Sequence, residues 1–162
     1  MNKQLSNTSE PPIPVPKVWW IWLVAVSVVG SIGGIGLALG SVFFTPALDA
    51  IYGFVFGPGA VTTVLLADRI LFNVTVAIGG GLQAGASAII GFVSYHALRF
   101  GKRWAWNACV VGLTLWLLLD TGLTTWYLLN GYPGLWPKIV NDLGFVAMFG
   151  IPYAALHRYC TQ

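Results

Sequence analysis

Two long stretches of this chain, Val18–Phe44 and Ile70–Leu98, contain no Asp, Glu, Lys or Arg. Each exceeds the roughly 20 apolar residues that a helix needs to cross the hydrocarbon core of a bilayer. Composition agrees: 57% of the residues are hydrophobic and only 8% are charged, whereas a water-facing domain carries about 25% charged residues. Disorder, a collagen-like repeat, a disulfide scaffold and a secreted soluble enzyme are all excluded. The expected fold class is all-α: an integral membrane four-helix bundle, with a short interfacial helix between helices 1 and 2.

Residues 1–17 form a polar tail in which Pro11, Pro12, Pro14 and Pro16 oppose helix and favour extended polyproline geometry. The apolar run after Lys17 is too long for the core of a signal peptide, so it is expected to be retained as helix 1. Residues 18–158 then make up the transmembrane domain and 159–162 a short C-terminal tail. Trp19, Trp20 and Trp22 suit the level where helix 1 meets the interface. Gly30 with Gly34, and Gly36 with Gly40, stand four residues apart and offer flat surfaces for a neighbouring helix.

Thr45-Pro46 reads as a helix cap, opening a segment with Leu48, Ile51, Tyr52 and Val55 on one face. It is too short to span and ends at Gly57-Pro58-Gly59. Helix 2 is placed from about Asp68 to Leu98, after a lead-in over 60–67. A break at Gly79-Gly80-Gly81 would instead give two crossings, an arrangement that spoils the charge asymmetry of the loops. Gly81 and Gly85, extended by Ala84, Ala86 and Ala88, are the expected contact surface toward helix 1. Helix 3 runs from Trp104 to about Asn130. Helix 4 covers Lys138–Arg158, with a kink signal at Gly150-Ile151-Pro152.

Four crossings put Lys3, Lys17, Arg99, Lys102, Arg103 and Arg158 on one side and Arg69 and Lys138 on the other. The positive-inside rule then predicts cytoplasmic N- and C-termini in a bacterial-type inner membrane. This topology accounts for the net charge of +3, so nucleic acid is not an expected partner; the lipid bilayer is. Cys109 and Cys160 fit no metal spacing and are expected to be free thiols near the reducing face.

Depth arithmetic identifies where chemistry could reside. Trp104 to Leu119 spans roughly 24 Å of helix, which places Asp120 within the outer part of the membrane. Asp142 is similarly near the outer boundary, where Asp68, Arg69 and Asn73 enter helix 2. Asp68, Arg69, Asn73, Asp120, Thr124, Asn141 and Asp142 are therefore expected at one depth, with Arg69 the expected partner of Asp120 or Asp142. Such a cluster could bind a small ligand or relay protons; equally, it could be a salt bridge that fixes helix register.

His96 and His157 share a depth at the opposite face and are the only candidate haem ligands. Each is followed closely by arginine, which favours solvated interfacial histidines, so neither metal nor cofactor is expected. No nucleophile-elbow, zincin or phosphate-loop sequence occurs.

The stretch Y-H-A-L-R-F-G-K-R-W-A-W from Tyr95 to Trp106, the L-L-L-D-T-G-L around Asp120 and the G-L-W ending at Trp136 together resemble small four-helix bacterial membrane proteins described as DoxX-like. The resemblance implies four helices and interest in Asp120, and it implies no reaction. The leading functional expectation is a non-enzymatic accessory subunit or a binder of a small or lipid-like ligand. The alternatives are a small proton-coupled carrier using the outer carboxylates and an intramembrane isomerase or quinone-linked redox subunit. A carrier with only four helices would need a homo-oligomer or a membrane complex to build its pathway.

Overall fold

The computed structural model describes residues 14–44, 46, 50, 53, 60–131 and 136–160, while the side chains at 60–70, 136 and 137 lie outside what it describes. Among these residues there are four long helices and no strand: α1 Lys17–Phe43, α2 Ala60–His96, α3 Arg103–Leu129 and α4 Trp136–Leu156. Each contains a stretch long and apolar enough to cross a membrane. The protein is an all-α, four-helix membrane bundle. The expected interfacial helix over Pro46–Val55 falls outside the described residues, apart from isolated positions.

Helix α2 runs unbroken from Ala60 to His96 through Gly79, Gly80 and Gly81 and holds one candidate span, with no break between two. Its 37 residues would measure roughly 55 Å, longer than a bilayer core, and the apolar span within it begins only at Leu71. The helices pack in the order α2, α1, α4, α3, and α2 and α3, although consecutive, make little contact.

The α1–α2 pair is close because its facing side chains are small. On α1, Ser27, Gly34 and Ser41 are buried seven residues apart. On α2, Gly80, Ala84, Ser87, Gly91 and Ser94 alternate steps of four and three, the 3.5-residue period of a left-handed helix pair. A methyl group on Gly34 would fall 2.6 Å from the Ala84 amide nitrogen and from the Gly80 carbonyl oxygen. On Gly80 it would meet the Gly34 carbonyl oxygen at 2.6 Å. Backbone therefore packs on backbone, and no side chain can swing aside to make room. The Ser31 hydroxyl adds a cross-helix hydrogen bond, donated to the Ala84 carbonyl at 3.3 Å.

The expected glycines are corrected here. Gly81 and Gly85 face open space, as do Gly36 and Gly40, and Ala86 and Ala88 are exposed. One residue rotates a helix face by about 100°, so the stripe through Gly80 and Ala84 faces α1 while that through Gly81 and Gly85 turns away.

Helix α4 continues through Pro152. Proline has no N–H, so the Met148 carbonyl four residues earlier loses its helical donor. The Trp22 indole of α1 donates to that oxygen at 3.0 Å, and the freed acceptor becomes the tie between α1 and α4. Trp106 of α3 does likewise, donating to the Tyr153 carbonyl at 2.8 Å. The Trp106 indole packs against the apolar core, built from Leu23, Ala97, Leu98, Ala105, Cys109, Phe149, Tyr153, Leu156 and Cys160. The core thus sits at the end where α1 and α3 begin and α2 and α4 finish.

Candidate functional site

The polar cluster is at the opposite end, between α3 and α4. Asp120, Thr121 and Thr124 occupy one stretch of α3, and Lys138 and Asp142 stand four residues apart on α4, close enough for their side chains to meet. Lys138 Nζ donates to Asp120 Oδ2 across the helix pair and is ion-paired with it. It also donates to Asp142 Oδ1 and Oδ2, each at 3.1 Å. The Thr121 hydroxyl donates to Asp142 Oδ2 at 3.1 Å. Thr124 is buried, and its hydroxyl bonds the Asp120 backbone carbonyl at 2.8 Å. It closes a helical turn and leaves the carboxylate alone.

The two carboxylates differ in exposure. The Asp142 side chain is only 2% exposed, against 34% for Asp120 and 17% for Lys138. Full burial of a carboxylate is tolerable only where its lone pairs are engaged, and both Asp142 oxygens accept bonds. Asp142 is thus the closed side of the cluster and Asp120 the open side. One ammonium shared by two carboxylates leaves a formal charge of −1 on these three groups when all are ionised.

Arg69 is the partner expected from the sequence, and its side chain lies outside the described residues; among the described residues the cation that bridges Asp120 and Asp142 is Lys138. Depth reasoning had set Lys138 at the helix boundary as a topological charge, yet its four-carbon stem lets the ammonium reach inward along α4. The i,i+4 spacing of Lys138 and Asp142 was the available signal. The Asp68 and Arg69 side chains lie outside the described residues, although both positions belong to α2. Asn73 is half-buried on α2. Asn141 is exposed, on a different face of α4 from the buried Asp142.

The histidines at the other end engage separate neighbours. His96 packs on Phe92, with ring centroids 4.3 Å apart, and against Tyr95 at 5.0 Å. His157 lies 4.8 Å from the Trp106 ring. Both are exposed. Among the described residues no group of three or more His, Cys, Asp or Glu side chains could hold a metal ion. Cys109 and Cys160 are buried free thiols.

Comparison with protein families, with characterised proteins and with solved structures finds no match for this chain.

Proposed function

We propose that this is a non-enzymatic inner-membrane protein, with both termini cytoplasmic, that binds a small or lipid-like ligand at the Lys138–Asp120–Asp142 cluster. The asymmetry of that cluster carries the reading. One carboxylate is sealed with both oxygens engaged, whereas the other is a third exposed beside the same ammonium. Asp142 and Thr121 hold the ammonium in place, and the open Asp120 edge can accept a hydrogen bond from a ligand. The orientation rests on the six basic residues assigned to one side against two on the other.

Native mass spectrometry of the protein purified in mild detergent tests the proposal. A small molecule retained by the wild type should be lost in Asp120→Asn and kept in Asn141→Ala. Retention that ignores Asp120→Asn, with the fold intact, contradicts it.

A second reading has one observation in its favour. Two carboxylates on one ammonium form a site that a proton could enter and leave, as a proton-coupled carrier requires. Proteoliposomes should then show proton uptake that Asp120→Asn abolishes.

A further inference from the structure

The end opposite the Lys138 cluster gathers five basic residues. Lys17 opens α1; Arg99, Lys102 and Arg103 form the turn from α2 to α3; Arg158 lies in the short 3-10 turn after α4. Gly101 fixes how these segments meet. Its φ of 68° is left-handed, and a side chain there would fall 2.5 Å from the Tyr159 carbonyl oxygen and 3.6 Å from Val15. The basic turn is therefore packed against both the start of α1 and the end of α4, which draws the five positions into one patch. The described carboxylates, Asp120 and Asp142, are at the other end of the bundle, and among the described residues none pairs with these cations.

Two further features set this patch apart from cations scattered at helix ends. Helices α1 and α3 both start here, and neither Pro16 nor Lys102 supplies a side-chain cap. Neither first turn holds an acidic residue; instead Lys17 and Arg103 open the helices. A cation at a helix N-terminus opposes the macrodipole, while an anion there is favoured by the dipole and by the free N–H groups. In addition, the Arg99 guanidinium is held over the Tyr95 ring at 4.1 Å and the Phe100 ring at 4.4 Å. Its Nε is buried without a hydrogen-bond partner.

We propose that this patch binds the phosphate of an anionic phospholipid from the bordering leaflet, with Lys102 and Arg103 as its principal contacts and Lys17, Arg99 and Arg158 supporting the field. Charge complementarity identifies the occupant as an anion. The flanking apolar surface identifies it as a lipid: Trp104, Phe100 and Val18 are each about 60% exposed, at the level where a headgroup meets its acyl chains.

The test is competition between phosphatidylglycerol and phosphatidylcholine for the full chain in mixed micelles, with bound lipid counted by native mass spectrometry. The wild type should favour phosphatidylglycerol. Lys102→Gln/Arg103→Gln should reduce that preference by about fivefold per cation removed, and the charge-conserving Lys102→Arg/Arg103→Lys should keep it. If the neutralised variant does not fold, the wild type alone decides, because a phosphate contact must weaken as salt rises. The proposal is overturned by equal retention of both lipids, by a preference insensitive to salt or to the neutralising pair, or by displacement of the lipid with inorganic phosphate, which would mark a free-phosphate site.

Discussion

The α1–α2 pair and the α3–α4 pair are held by different physics. Along α1–α2 the helices approach until backbone meets backbone, at Gly34 against Gly80 and Ala84. Along α3–α4 the facing side chains are large, with Trp116 against Phe145 at 5.8 Å, and the pair is clasped at its far end by Lys138. Lipid tails are as apolar as leucine, so hydrophobicity alone cannot hold helices together inside a bilayer. What remains is shape, which the first pair uses, and polar linkage, which the second uses. A shape-held seam tolerates no added volume; a polar clasp tolerates no unpaired charge.

The largest effect should come from breaking the clasp. Lys138→Met removes the cation that Asp120 and the buried Asp142 share among the described residues and should cost about 3–5 kcal/mol, read as a lowered unfolding temperature in nanodiscs. Next is overfilling of the seam. Gly34→Leu or Gly80→Leu should each cost about 1–3 kcal/mol or more, while Gly81→Leu, facing open space, should change stability by no more than about 0.5 kcal/mol. Equal losses at Gly80 and Gly81 would dissolve the distinction between the two faces of α2. The link between the two pairs should be weaker again. Trp22→Phe removes the donor to Met148 and should cost about 1 kcal/mol; if Pro152 is the reason, the loss should shrink in Pro152→Ala, where the backbone supplies its own donor.

The smallest effect concerns Cys160, beyond the end of α4. Burial, and secondarily the neighbouring Cys109, push its thiol above the ordinary value. The folded protein therefore keeps this proton when an unfolded thiol has lost it. Below the ordinary thiol range Cys160 contributes no pH dependence; above it, stability should fall slightly as pH rises. Alkylation of Cys160 in the folded protein should be slower than that of a peptide cysteine at the same alkaline pH.

Four helices, their approximate ends and the association of α1 with α2 were legible from apolar run length and small-residue spacing. Gly30 and Gly34 of α1 were legible too, and both meet α2; which glycine of α2 makes the seam was not. The sequence around Gly79–Gly85 carries two interleaved small-residue stripes, and spacing is the same for both; only the rotation of α2 against α1 selects Gly80. That Asp120 and Asp142 stand at a common level of the bundle was likewise readable from helix rise. Lys138 was not named as a partner because depth was assigned to Cα positions, and a lysine stem moves its charge well away from its own Cα; the Arg69 side chain lies outside the described residues. Pro152 was read as a kink signal, but the oxygen it frees on Met148 finds its donor on α1, a long-range pairing that no local pattern encodes.

Lys138 stands between two carboxylates whose charges it offsets, and a mutant cycle in lipid nanodiscs tests that linkage directly. Thermal unfolding would be compared for the wild type, Lys138→Met, Asp142→Asn and the double mutant. Lys138→Met should be the most damaging, and adding Asp142→Asn should restore part of the loss, because it removes the buried charge that Lys138 offset. A double mutant less stable than Lys138→Met, by the full cost of Asp142→Asn alone, would show that the two residues act independently and would contradict the clasp.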